Sequence, residues 1–336
     1  MDHATRRSLV SSDAQTSRSR TGNAGPRCSI DDPEHAAYAD ELAVLGSEGH
    51  GGCAYDADCD RDALGTTRCG FDGVPVMFEM GFWPDKGYVL CGDCKDIAMW
   101  LLDMHCCPSL VIADPPYGKI LDEDWDTDLP DIDHWIKIVR SLEAFNSVVY
   151  WWGGIGKPNN RVFFEFLLKV EKETRYKVRD IITWKKVRAY GKSSDYLFTR
   201  EECLVLTVEG KDYPLFNIPL LEEKRGYAGY NSKYPAKSEY KRRSNVWCET
   251  ELLKNKLHPA HKAPIVCRIP IEVHTREKEL VLDLYAGSGE TSIQALESGR
   301  TFIAVERDKE IAAKIVSRIQ AAITVQQPDA DLTEYQ

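Results

Sequence analysis

The 336 residues carry a formal net charge of −10 and 43% hydrophobic content, enough for one large or two ordinary folded domains with a packed core. Nothing approaches 18 consecutive apolar residues and the first thirty lack the apolar run of a secretory signal, so a soluble, cytoplasmic protein is expected, with no membrane partner. Eleven cysteines without regular spacing fit reduced thiols better than a disulfide framework.

Residues 1–30, rich in Ser, Thr, Arg and Gly, read as a disordered tail. Residues 31–86 read as an acidic, loop-like region to which no function attaches. It holds 13 acidic residues against Arg61, Arg68 and Lys86, with one short helix expected over 33–45. Cys91 and Cys94 form a C-x-x-C, but no second pair or histidine at ligand spacing accompanies them, so no metal is expected. From residue 87 to 325 short apolar runs alternate with amphipathic stretches, the pattern of a mostly parallel sheet with crossover helices. Strands are predicted over 88–91, 110–113, 147–151, 181–185, 203–207, 280–284 and 302–305. Helices are predicted over 132–143, 160–172, 264–274, 291–297 and 309–322. The runs at 110–113 and 281–284 do not alternate, as befits strands buried on both faces. The pattern breaks over 209–247, which reads as an insertion outside the sheet, and residues 326–336 read as a tail.

Charge is unevenly spread. Residues 175–192 carry seven Lys or Arg against Asp180 alone, and 211–243 carry eight basic and four acidic residues. An acidic protein with such segments can still hold a polyanion, because charge interactions are screened within about 8 to 10 Å.

Two segments carry chemistry. Residues 280–291 (LVLDLYAGSGET) read as a buried strand, a glycine turn and a helix start, where glycine lets the backbone approach a ligand and the helix presents free N–H groups. A second strand ends at Glu306, a carboxylate suited to ribose hydroxyls. The third position of a dinucleotide fingerprint is Ser292, which disfavours NAD, and Asp283 would repel a pyrophosphate while suiting a cationic methionine-type cofactor. The other segment, Asp114-Pro115-Pro116-Tyr117, closes an apolar strand. Prolines supply no N–H, so nearby carbonyls stay free to accept from an exocyclic amine. Asp114 adds an acceptor, and Tyr117 offers a flat face for an extruded base. A proline-rich turn capped by Asp114 would be the purely structural alternative.

The tetrapeptide resembles the D-P-P-Y motif of amino-group DNA methyltransferases, and 283–291 resembles their cofactor motif, with Leu284, Tyr285 and Glu290 departing from it. Leu90-Cys91-Gly92-Asp93, residues 299–306 and His258-Pro259-Ala260-His261-Lys262-Ala263-Pro264 are similar to further family segments, the last carrying Ala263 as an insertion. The resemblance covers roughly 87–322 and follows the permuted order of the beta class. It implies a Rossmann-like seven-stranded α/β sheet with helices on both faces, S-adenosylmethionine as cofactor and double-stranded DNA as partner. Asp114, Pro115, Pro116 and Tyr117 would be catalytic. Asp93 would meet the cofactor adenine and Glu306 its ribose. Asp283, Tyr285, Gly287, Ser288 and Gly289 would meet the methionine portion, and Lys262 is carried over to the cofactor site.

In the family that the tetrapeptide resembles, D-P-P-Y goes mostly with adenine N6 and S-P-P-Y more often with cytosine N4, so the resemblance implies N6. The target base must be flipped out, at a cost of a few kcal/mol. Lys224, Arg225, Lys233, Lys237, Lys241, Arg242 and Arg243, interleaved with tyrosines where the family places target recognition, would bind DNA; a solvated surface insertion is the alternative. Three rival readings are an NAD oxidoreductase, a catalytically silent DNA-binding protein of the same fold, and a C5-cytosine methyltransferase. The last needs a Pro-Cys pair, and only Cys106-Cys107-Pro108 in reverse order is present. A restriction endonuclease partner and the oligomeric state stay open.

Overall fold

The computed structural model describes residues 78–103, 107–118, 128–155, 160–190, 196–224, 238–248 and 261–326. Strand residues that do not alternate in polarity need cover on both faces, and the sheet supplies it. Its nine strands are β1 (Phe78–Trp83), β2 (Gly87–Cys91), β3 (Leu110–Ala113), β4 (Val148–Gly153), β5 (Tyr176–Tyr190), β6 (Phe198–Val208), β9 (Val246–Trp247), β10 (Leu280–Asp283) and β11 (Thr301–Glu306). They lie in the order β1-β2-β11-β10-β3-β4-β6-β5-β9, with β1 and β6 antiparallel to their neighbours and all other pairs parallel.

Successive residues of one strand serve opposite layers. Leu110 and Ile112 join Val281, Phe302 and Ala304 on the face covered by α4 (Pro264–His274), α5 (Glu290–Glu297) and α6 (Lys309–Gln326). Val111 and Ala113 join Leu282, Ile303 and Val305 on the face covered by α1 (Cys94–Asp103), α2 (Ile132–Leu142) and α3 (Asn160–Glu173). Helix α2 is amphipathic and is capped by Asp131, whose carboxylate accepts from the N–H groups of Asp133 and His134.

The sequence-based elements recur within a few residues, with four corrections. The sheet has nine strands rather than seven. Strand β1 comes from the stretch read as loop-like. It folds back on β2 through a turn in which Asp85 has φ 57°, and Phe82 stacks on Tyr88 at 4.6 Å. Helix α1 was not anticipated. Within 209–247, β7 (Leu220–Lys224) and β8 (Tyr240–Arg242) form a separate ribbon, but β9 joins the main sheet, burying Trp247 6.1 Å from the Trp152 ring. The leading residues 1–77, including the helix expected over 33–45, lie outside the described residues, as do 327–336.

The ribbon is tied back to α4. Buried His274 meets the Tyr150 hydroxyl at 3.1 Å and the Leu215 carbonyl at 2.9 Å, and Asn217 N donates to the Val273 carbonyl at 2.8 Å. Burial lowers the His274 pKa to about 4, so the ring is neutral at physiological pH.

Candidate active site

In an open sheet the carboxyl edge of the parallel strands is where ligands gather. Here four adjacent strands each end in an acid: Asp93 after β2, Glu306 on β11, Asp283 on β10 and Asp114 after β3. Neighbouring strands lie about 4.8 Å apart, so the row runs for about 14 Å. The tips are locked in step by backbone bonds: Gly92 N to the Glu306 carbonyl at 3.0 Å, Ala286 N to Val305 at 2.9 Å and Leu284 N to Ile112 at 2.9 Å. The tetrapeptide and the glycine turn therefore sit side by side at one edge of the sheet.

Asp283 is the most buried of the four, at 4% exposure. Its Oδ1 accepts from Tyr285 N at 3.2 Å. Burial, then the neighbouring charges of Asp114 and Glu306, push it up to about 7 against the opposing hydrogen bonds from Thr291 and Tyr285. A carboxylate so placed is short of a positive charge, and a sulfonium or ammonium group would supply one. The donor set thus fits a cationic nucleoside cofactor. Glu306 accepts from Gly287 N and from Asp308 N, both at 2.9 Å, and burial raises its pKa too. Asp93 Oδ1 accepts from Lys95 N at 2.9 Å, tying it to the start of α1. Tyr285 sets its ring 6.3 Å from that of Trp151.

The turn itself depends on Gly289, whose φ of 73° disfavours other residues and whose added Cβ would meet Ile315 Cγ2 at 2.8 Å. Behind it lies an ion cluster that the sequence did not announce. Arg318 donates to the Ser288 carbonyl at 2.8 Å and to Glu290 Oε2 at 2.5 Å, while His261 meets the same oxygen at 2.8 Å and Gln294 reaches Glu290 Oε1 at 2.9 Å. Glu290, a departure from the family pattern, is thus the buried partner that ties the turn to the segment before α4.

At the tetrapeptide, Tyr117 OH donates to Asp114 Oδ1 at 2.8 Å and Lys262 Nζ lies 2.8 Å from Asp114 Oδ2. The same ammonium lies 2.8 Å from Glu201 Oε2, donates to Tyr117 OH at 3.2 Å and sits 4.8 Å over the Trp152 ring. Glu201 Oε1 pairs with Lys186. Burial raises Asp114, with Lys262 opposing and Glu201 adding. Burial also disfavours the Glu201 carboxylate, but Lys262 and Lys186 prevail and hold it down to about 2. Lys262, expected among the cofactor residues, directs its ammonium to Asp114, Tyr117 and Glu201 at the tetrapeptide. Glu201 and Lys186 are the members of the site that the sequence reading did not assign. Trp151 and Trp152 are both buried core residues.

Of the expected DNA contacts, Lys224 and Lys241 are described on the ribbon, each in a cross-strand ion pair, with Glu239 and Glu223. Arg242 lies 5.4 Å over the Phe216 ring, and Arg243 is half-buried, with its N–H donating to the Pro219 carbonyl. Arg225, Lys233 and Lys237 lie outside the described residues. Among the described residues, Asp93, Cys94 and His134 bring potential metal-ligand atoms within 4.8 Å of one another, whereas Cys91 of the C-x-x-C points its thiol at the Arg307 carbonyl, 3.6 Å away.

A strand-tip acid row beside an acid-diproline-tyrosine corner defines a nucleoside-cofactor transferase. Residues 109–317 match the model of the N6/N4 DNA methylase family, and the chain belongs to that family. It is similar to the type II methyltransferase M2.LlaDCHI of Lactococcus lactis subsp. cremoris, at 24% identity over 64% of this chain and 83% of that one. It is also similar to M2.DpnII of Streptococcus pneumoniae, at 26% over 63% and 82%. Among solved structures, the cytosine-N4-specific PvuII DNA methyltransferase shares the fold, with a TM-score of 0.51 and 14% identity over 74% of this chain and 89% of that one. The protein is a DNA methyltransferase of the N6/N4 class, and its methyl donor is S-adenosylmethionine. No helix among the described residues is long and apolar enough to cross a membrane.

Proposed function

We propose that the chain methylates adenine N6 in flipped-out double-stranded DNA. The observation that carries this reading is Asp114 at the head of the tetrapeptide, beside the glycine turn. It offers a carboxylate acceptor to an exocyclic amine, with Pro115 offering its carbonyl as the second. The cofactor, when bound, supplies an electrophilic methyl on a positively charged sulfur. Asp93 would hold its adenine, Glu306 its ribose, and Asp283 with Tyr285, Gly287, Ser288 and Gly289 its methionine portion. Two hydrogen bonds from the amine, to Asp114 and Pro115, make its nitrogen more pyramidal and aim the lone pair at the methyl. As the N–C bond forms the methyl's bond to sulfur would break, leaving the cofactor as a neutral thioether, and one amino proton would pass toward Asp114 and on to solvent. Tyr117 gives the extruded base a surface to stack on.

Lys224, Lys241, Arg242 and Arg243 of the ribbon, with Arg225, Lys233 and Lys237, would hold the phosphates. Cytosine N4 is the second reading, being the specificity of the PvuII enzyme, which shares the fold. Sequencing DNA from cells expressing the chain, with a readout of modified bases, decides between them: N6-methyladenine at one recurrent site is expected, and N4-methylcytosine would replace it. Challenge of that DNA with restriction endonucleases tests whether the modification protects against a restriction partner.

A further inference from the structure

Glu201 belongs to none of the sequence motifs, yet it is buried at the catalytic corner, its side chain 12% exposed. Strand β6 runs against β4, and the pairing of Glu202 with Gly153 brings the amino end of β6 to the edge where the parallel strands finish. There Lys186, Glu201, Lys262 and Asp114 form a line of alternating charges. An ammonium has three hydrogens to donate. Those of Lys262 are matched by Asp114 Oδ2, Glu201 Oε2 and the Tyr117 hydroxyl, which fixes Nζ at one point.

The consequence concerns Asp114. Each of its oxygens has two acceptor directions; one oxygen takes the Tyr117 O–H and the other the Lys262 ammonium. One direction on each stays available to a target amine as long as Lys262 is held back. Released from Glu201, the lysine would settle fully on its remaining carboxylate, the group that must receive the substrate.

We propose that Glu201 is a positioning residue for methyl transfer: it anchors the Lys262 ammonium so that the lysine keeps Asp114 ionised without covering the oxygens that receive the amine. This rests on the transfer chemistry of the preceding subsection. Asp114 is faced by Lys262 ahead of α4, Tyr117 after β3, Glu201 and Cys203 of β6, and Asp283 of β10, with Lys186 of β5 behind Glu201. Glu201 raises the Asp114 pKa and Lys262 lowers it, so removing each shifts the ionisation in opposite senses.

The test is single-turnover methyl transfer against pH for wild type, Glu201→Gln and Lys262→Met, with S-adenosylmethionine affinity measured in parallel. Glu201→Gln should slow transfer about tenfold or more and move the acid limb of the profile down, with cofactor affinity unchanged. Lys262→Met should move the limb up, and Glu201→Asp, which keeps the charge, should recover part of the rate. A Glu201→Gln rate within about twofold of wild type and an unmoved limb would overturn the proposal, as would shifts of the same sign in both variants. Should Glu201→Gln fail to fold, Lys186→Met must raise the limb instead, and an unmoved limb there counts equally against it. A wild-type protein that methylates no DNA sinks the transfer reading and this inference together; an active wild type with unmoved variants sinks this inference alone.

Discussion

The two halves of the site turn different groups to the sheet edge. The cofactor side presents backbone, with strand tips clipped by N–H···O bonds, a turn shaped by Gly289 and Glu306 accepting from Gly287 N, while its ion cluster of Arg318, Glu290 and His261 lies behind the turn. The tetrapeptide side is built from charge, with Glu201, Lys262 and Asp114 packed where water is scarce and half-exposed Lys186 at the rim. Backbone geometry survives a change of side chain as long as φ is allowed. A buried ion cluster does not, since removing one member leaves its partner uncompensated, typically at 3–5 kcal/mol.

The sharpest way to break the contrast is Asp114→Ala, which should slow methyl transfer by about 10³-fold or more and leave S-adenosylmethionine affinity within a few-fold. Loss of cofactor affinity with turnover retained would invert the assignment of the two halves. Next in size is a pH effect on the cofactor side. Asp283 titrates near 7 in the free protein, well above an ordinary carboxylate, so its protonated form is favoured below that pH. A cationic cofactor needs the ionised form, so binding should weaken by up to about tenfold per unit as pH falls below 7, and should release a proton near neutrality. Calorimetry in buffers of different ionisation enthalpy reads that proton directly, and a flat affinity from pH 7.5 to 5.5 would remove Asp283 from the site.

A smaller effect is expected for Gly289→Ala. The positive φ and the contact with Ile315 should cost about 1 to 2 kcal/mol, seen as a lowered melting temperature, with a matching loss of cofactor binding. Smallest is the ribbon. Lys241 and Glu223 are a surface pair, so Lys241→Ala should change stability by less than about 1 kcal/mol in chemical denaturation. Together with Arg242→Ala it should flatten the salt dependence of DNA affinity by about two units of slope. An unchanged slope would put the recognition surface elsewhere.

The same contrast sets how much of each half is legible in the sequence. The cofactor side is local: the run 280–284, the glycines after it and Glu306 lie within one βαβ unit, so period, turn chemistry and strand-tip acid appear together in the chain. The tetrapeptide corner joins residues 114, 186 and 201, which only the strand order β3-β4-β6-β5 makes neighbours, with Lys262, which enters from the segment ahead of α4. Nothing local in the chain ties Lys186 or Glu201 to the tetrapeptide, and Lys262 went to the cofactor by motif alone. Strand β1 escaped because six residues after an acidic stretch carry little alternation, and what fixes them is their pairing with β2. Two-residue β9 is held by the burial of Trp247 against Trp152, which no local pattern announces.

One pairing has a bearing on how the protein is made. Strand β2 takes its inner neighbour from β11, more than two hundred residues later, whereas β3, β4, β6 and β5 come from one continuous stretch. On a ribosome, which adds about 5–20 residues per second, that middle block can assemble while the last two strands are still unmade. Asp114 and Glu201 would then come close with Lys186 already beside Glu201, before the lysine that separates their charges emerges. In the finished domain it is residue 262 that stands between the two acids.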